Sequence, residues 1–177
     1  MTNEFLPKNY SVPSSGGNYM KFKQGDNNFR ILSSAIIGYE YWTTENKPVR
    51  SKEQFKETPN AKEDKDGKVS IKHFWAFVVV DLDDSVIKIL EVTQLSIQNI
   101  IKSFVDNKTW GDPKGYDLNV NRAGEGLETK YTVMPSPHSP VDKDVEFEYK
   151  SMEIDLNALY TGDNPFEKAS SNEEIPL

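Results

Sequence analysis

Lys72-His-Phe-Trp-Ala-Phe-Val-Val-Val-Asp81 runs into Leu82-Asp-Asp-Ser85 and then Val86-Ile-Lys-Ile-Leu-Glu-Val-Thr93, and these 22 residues set the fold class. The first segment is apolar on both parities, which suits a strand buried on one face and used on the other. The four residues after it are turn formers, and the next eight return, making a hairpin. The period then changes. From Gln94 to Asn107, Ile97, Ile100, Ile101, Phe104 and Val105 follow the i, i+3, i+4, i+7, i+8 spacing of an amphipathic helix. Upstream, Phe29 to Thr44 is rich in Ile, Tyr and Trp and reads as one long strand. Downstream, Tyr116 to Arg122 alternates strictly, with Tyr116, Leu118 and Val120 on one face, and Ala123-Gly-Glu-Gly126 turns the chain into a last strand, Leu127 to Met134.

Five strands with one helix between the third and fourth is the order of a small Greek-key barrel of the OB type. The expected fold is therefore mainly β, with this domain over residues 19–160. A shorter helix is expected from Ile154 to Tyr160. Residues 1–18, with two prolines and Gly16-Gly17, read as an extended arm, and residues 161–177 as a flexible acidic tail. Glu45 to Ile71 is the odd connection, because ordinary ones run ~4–6 residues. It carries seven cations and no strong apolar period, so it is expected to be disordered or functional, as the first loop beside an OB groove.

The chain has 177 residues and no cysteine, which excludes disulfides, a thiolate nucleophile, a thiolate zinc site and iron–sulfur clusters. No apolar stretch approaches the ~18–20 residues that cross a bilayer. Met1 to Pro13 lacks the apolar segment of a signal peptide, so a soluble protein made where it works is expected. The formal net charge of -7 argues against an anionic ligand only until it is partitioned. Residues 151–177 hold six acids and one base, while residues 1–62 hold nine bases and six acids. Most of the acidity thus belongs to the end of the chain, where it could imitate a phosphate track, and the body is free to present a basic groove.

Catalytic signals are weak. Asp81, Asp83 and Asp84 could hold Mg²⁺ for nuclease chemistry, but Asp is also the residue that a tight turn selects, and no partnered acid, base or Arg clamp accompanies them. His73 and His138 have no cysteine near them for a zinc site. Gly124-Glu125-Gly126 leads into a strand, not into the helix N-terminus that a phosphate loop requires. Asp64-Lys65-Asp66-Gly67 opens like a calcium loop, but its twelfth position is Trp75, so it reads as a turn. Neither an enzyme nor a cofactor or metal is expected.

Aromatic residues are 11% of the chain, and they are interleaved with cations. Tyr39, Tyr41 and Trp42 are followed by Lys47 and Arg50. Lys72 precedes Trp75, and Trp110, Arg122, Lys130 and Tyr131 complete the set. A protein that binds a single nucleic-acid strand needs ring faces for unstacked bases and cations along the phosphates. Phe77 and Phe104 are assigned to the core. Trp42, Trp75 and Trp110 are candidates for stacking, since Trp is rarely buried completely. The competing reading is an OB-type module for a protein or carbohydrate ligand, with its loops as the contact surface.

Three ordered segments carry a resemblance. They are Tyr19-x-Lys21-x-x-x-Gly25-x-Asn27-x-Phe29-Arg30-Ile31-Leu32, then Lys72-x-Phe74-Trp75-x-x-Val78-Val79-x-Asp81, then Lys88-Ile89-Leu90-Glu91-Val92. Trp110-Gly111-Asp112-Pro113, Tyr116-Asp117-Leu118 and Arg122-x-Gly124-x-Gly126-x-x-Thr129-x-Tyr131-x-Val133-x-Pro135 continue it over residues 19–140. The pattern resembles phage-type single-stranded-DNA-binding proteins, OB-fold proteins distantly like the T-even phage helix-destabilising protein. The resemblance implies non-catalytic work on DNA in replication, recombination or repair, in the cytoplasm of a bacterial host. It makes Lys21, Arg30, Trp75, Arg122 and Tyr131 candidates for strand contacts. Glu173-Glu174-Ile175-Pro176-Leu177 is similar to the acidic, apolar tip by which bacterial single-strand-binding proteins recruit partner enzymes. The zinc module of the T-even protein does not carry over, for want of cysteines.

Overall fold

The computed structural model describes residues 18–167 and Phe5. The expected arm and the Glu173–Leu177 tip therefore fall outside the described residues, apart from Phe5 and Asn18. Eight strands form one sheet: β1 (Tyr19–Met20), β2 (Gly25–Ile31), β3 (Ile36–Trp42), β4 (Pro48–Ser51), β5 (Lys72–Asp81), β6 (Val86–Val92), β7 (Asp117–Ala123) and β8 (Lys130–Pro135). Three helices accompany them: α1 (Leu95–Val105), α2 (Lys143–Met152) and α3 (Ala158–Thr161). The class is mainly β, as expected, with eight strands where five were expected.

The long run at Phe29 to Thr44 is broken at Leu32–Ala35 into β2 and β3. Strand β5 is the axis of the sheet. One of its edges pairs along its length with β6, while the other meets β3 at its first half and β2 at its second, all antiparallel. Strand β2 continues to β7, and β7 to β8. The sheet path runs β1-β6-β5-β2-β7-β8, and among the described residues β4 pairs only with β3. Strand β1 adds to β6 in parallel, where an OB barrel would close.

Residues 18–24 then cross from β6 to the β7–β8 side. Gly25 adopts a left-handed φ of 88°, which glycine takes without the steric cost of a Cβ. The buried Asn27 amide fixes this crossing, donating to the carbonyls of Lys23 at 3.0 Å and Val120 at 3.0 Å while its oxygen accepts from the Lys23 amide at 2.9 Å.

Two cores lie on either side of β5 and β6. Inside are Phe29, Phe77, Val79, Leu90, Tyr116, Leu118 and Val120, closed by Ile97 and Ile101 of α1. Gln98, also buried, ties α1 down by donating to the carbonyls of Val92 at 2.9 Å and His73 at 3.1 Å. The outer face, Phe74, Ala76, Val78, Val80, Ile87 and Ile89, is covered by Val145, Tyr149 and Met152 of α2, Leu159 and Tyr160 of α3, and Phe166. This corrects the reading of the Lys72–Asp81 run: its second apolar parity is a second core, and not a face left free for a ligand. Thr161 to Phe166, placed by sequence in the tail, belong to this cover.

The Glu45–Ile71 connection is ordered too. It forms β4 and folds back along β3: the Lys62 amide donates to the Trp42 carbonyl at 2.7 Å, the Thr44 amide donates to Asn60 at 2.9 Å, and Tyr41 Oη donates to the Pro59 carbonyl at 3.1 Å. Close approach is needed at Gly38, where a Cβ would fall on the Ser51 carbonyl oxygen and lie 3.1 Å from the Phe74 ring. Gly38→Ala is expected to push β4 away and cost about 1–3 kcal/mol, the usual range for overpacking, measurable by urea denaturation.

Candidate nucleic-acid interface

Residues directly opposite on paired strands share a face, so the register builds the site. Glu40 is opposite both Arg50 and Lys72, Trp42 is opposite Pro48, and Gly38 is opposite Phe74. The outer face therefore has an apolar half under α2 and α3 and a charged half beyond them, with Phe74 at the boundary. Arg50 sits there with its guanidinium carbon 5.8 Å from the Phe74 ring centre.

A groove of ≈ 740 Å³ opens over this charged half. Lys47, Pro48 and Arg50 enter it from β4 and its approach, Lys72 from β5, and Tyr19, Lys21 and Phe22 from the crossing segment. Arg122 and Tyr131 come from the last hairpin, and Gly162 and Asp163 from the end of the cover. A second hollow of ≈ 350 Å³ continues from it under the folded connection, adding Lys62, Lys68 and Ser70 together with the acids Glu63 and Asp64. Glu40, Trp42 and Lys72 border both. Trp42 is 45% exposed and Tyr19 36%, so ring faces are open where the cations gather.

Of the residues singled out by sequence, Lys21, Trp42, Lys47, Arg50, Lys72, Arg122 and Tyr131 are brought together here. Arg50 is engaged, donating from Nε to Glu40 at 3.2 Å and from Nη2 to Glu91 at 2.7 Å. Arg122 donates from Nη1 to the Phe22 carbonyl at 3.1 Å, which anchors the crossing segment to the hairpin, and its buried Nε has no partner among the described residues. Tyr131 lies 6.1 Å from Phe22, ring centre to ring centre.

The other candidates lie elsewhere. Arg30 is 4% exposed. It ion-pairs with Asp117 at 3.0 Å, donates from Nε to the Lys114 carbonyl at 2.9 Å, and binds both the Ser139 hydroxyl at 3.2 Å and the Ser139 carbonyl. Its guanidinium joins β2 to two loops and spends four hydrogen bonds within the fold, so it drops out of the strand contacts carried over with the resemblance. Tyr41 is buried against Phe55, their rings 4.8 Å apart. Tyr39 packs on His73 at 5.2 Å, on the face of β3 opposite Trp42. Trp75 is half-buried against the inner core, and Trp110 packs among Phe104, Tyr116 and His138, nearly parallel to the histidine at 15°. Lys130 is exposed at the start of β8, outside the groove lining.

Tyr19 and Phe22 were missed as groove residues, although the Tyr19-Met-Lys-Phe22 run interleaves rings and a cation as the other candidates do. Asp81 and Asp84 hold Lys88 at 3.0 and 2.7 Å and Asp83 pairs with Lys23 at 3.2 Å, so the three acids brace a turn. Among the described residues no group of three or more His, Asp or Glu is placed to hold a metal ion.

Electrostatics sharpen the contrast between the two halves of the outer face. Residues 18–141 contain 17 acids and 17 bases, whereas residues 142–167 contain eight acids and two bases. The cover is thus strongly acidic, and an anionic strand would be driven from it towards the groove. Within the groove Glu40 is 3% exposed. Burial first, then the hydrogen bond and charge of Glu91, push its carboxyl up to about 8, against the pull of Arg50.

No family model matches the chain, and no solved structure matches it. Among curated proteins, a probable ssDNA-binding protein of Escherichia phage T5 is 28% identical over 156 residues, a match that takes in 72% of this chain and 60% of that relative's length.

Proposed function

We propose that this protein binds single-stranded DNA with little sequence preference and without catalysis, in the groove that runs from Tyr131 and Arg122 past Trp42 and Lys72. The observation that carries the reading is the convergence there of open rings and cations from five separate parts of the chain. That is the pairing of stacking platform and phosphate track a single strand requires. The name of the phage T5 relative points the same way.

The sheet is read as an OB barrel in which β2 and β3 are the two halves of a bent first strand, β5 and β6 the second and third, and β7 and β8 the last two. The antiparallel pairs and the place of α1 between β6 and β7 support this. The groove then lies between the first and last loops, which are the ligand-binding loops of that fold, while α2 and α3 cover the adjoining sheet face. The work proposed is protection of phage DNA during replication, recombination or repair in a bacterial host. The acidic tip, Glu173 to Leu177, is assigned to regulating access to the groove or to recruiting other replication proteins.

Oligo-dT titration with tryptophan fluorescence tests the reading. Lys21, Lys47, Lys72 and Arg122 offer about four phosphate contacts, so log K should fall with log salt at a slope of about -3, at ~0.7 per contact on a single strand. Lys72→Ala should lower that slope by about 0.7. Absence of quenching, or affinity independent of salt, would favour the protein or carbohydrate module instead.

A further inference from the structure

Glu40 occupies the floor shared by both hollows, beside Trp42 and Lys72. It and Glu91 converge on one guanidinium, that of Arg50, with side chains 4%, 19% and 11% exposed for Glu40, Glu91 and Arg50. Two ionised carboxylates on a single cation leave an uncompensated negative charge in the floor of a groove whose rim is cationic. A desolvated carboxylate pair of this kind favours holding one proton between its members.

We infer that single-strand binding in this groove is linked to uptake of a proton by the Glu40–Glu91 pair, with Glu40 the residue that makes affinity depend on pH. The inference rests on the reading of the groove as a single-strand site. Its physical basis is reciprocity: phosphates laid over the floor raise the cost of the second carboxylate charge, so whatever protonates the pair must strengthen binding by the same factor.

The titratable groups facing the pair across the two hollows are Arg50 from β4, Lys72 from β5, Tyr19 and Lys21 from the first segment, Lys62, Glu63, Asp64 and Lys68 from the folded connection, Arg122 and Tyr131 from the last hairpin, and Asp163 from the end of the cover. Lys47 stands at the rim. The Tyr19 phenol is pushed above its ordinary 10 by burial, which outweighs Arg50, so it stays out of the neutral range. The sign follows. In the free protein the pair already holds its proton below the Glu40 value of about 8, so affinity is flat there. Above that value binding must recruit the proton from solution, and affinity falls as pH rises, by at most tenfold per unit.

The test uses the full chain and oligo-dT at constant ionic strength from pH 6.5 to 9.5, with calorimetry at pH 8.5 in two buffers of different ionisation enthalpy. Affinity should change little between pH 6.5 and 7.5 and weaken by about threefold or more between 7.5 and 9.5. The binding enthalpy should differ between buffers with the sign of proton uptake. Glu40→Gln, which carries the amide in place of the protonated acid, should bind with a flattened pH profile and the same enthalpy in both buffers. Equal enthalpies for the natural protein, or an unchanged profile in Glu40→Gln, would overturn the linkage while leaving the single-strand site intact. The calorimetric arm does not depend on the variant folding. Failure to bind oligo-dT at any pH would overturn the single-strand reading and the linkage with it.

Discussion

Trp42→Ala is expected to weaken oligo-dT binding by roughly tenfold or more and to remove most of the fluorescence quenching, as loss of one base stack is worth about 1–3 kcal/mol. Trp42 is the most exposed of the three tryptophans and stands where the two hollows meet, opposite Pro48 and beside Lys72. Its backbone is held independently of the ring, by the Lys62 amide on its carbonyl, and its side chain contributes to neither core. Stability should therefore change little. Trp110→Phe is the matched control, since Trp110 is engaged by Phe104, Tyr116 and His138 away from the groove. Affinity and quenching that survive Trp42→Ala would sink the proposed path of the strand.

Arg30→Met is expected to act on the fold instead, lowering stability by about 3 kcal/mol and leaving the salt slope of oligo-dT binding unchanged. The estimate follows from stranding hydrogen-bond partners that lose their donor, at ~1–3 kcal/mol for each one that stays desolvated. Asp117 is 38% exposed and can turn to water, so the carbonyls of Lys114 and Ser139 bear most of the loss. Urea denaturation measures the first expectation and a salt titration the second. A variant of full stability with a slope reduced by about 0.7, the value for one phosphate contact, would return Arg30 to the strand.

Arg30 and Trp42 illustrate how much of the site was legible beforehand. Trp42 was marked as a ring among cations and Arg30 as a cation carried over with the resemblance, and both marks rest on residue type and position in the sequence. Whether the guanidinium meets a phosphate or a carbonyl of its own chain depends on Lys114 and Ser139, which lie 84 and 109 residues away. The same holds for Tyr41 and Trp110: their rings are used up by Phe55 and by His138, and no local pattern announces such partners. Arg122 and Tyr131 are direct cross-strand partners on a hairpin, so their joint arrival at the groove follows from one turn.

The cover over β5 and β6 was partly visible. Val145, Tyr149 and Met152 fall at i, i+4 and i+7, the stripe of a helix lying on a surface. Eight acids between residues 142 and 167 masked that signal by making the segment read as solvated. Once the stripe is recognised, the doubly apolar Lys72–Asp81 run has its explanation, a strand with a core on each side.

Local periodicity and turn chemistry, which depend on neighbours within a few residues, settled from the sequence alone that this is a mainly β chain with a central hairpin, an amphipathic helix after it and an alternating strand at Tyr116 to Arg122. Composition settled the absence of cysteine chemistry and placed the acidity late in the chain. The tertiary structure decided that neither apolar face of β5 is free, and which rings and cations share a groove. It also decided that Glu40 of β3 meets Glu91 of β6 across β5, where both engage Arg50. Those outcomes rest on pairings between distant strands, and a side chain's role there is fixed by what the fold sets against it.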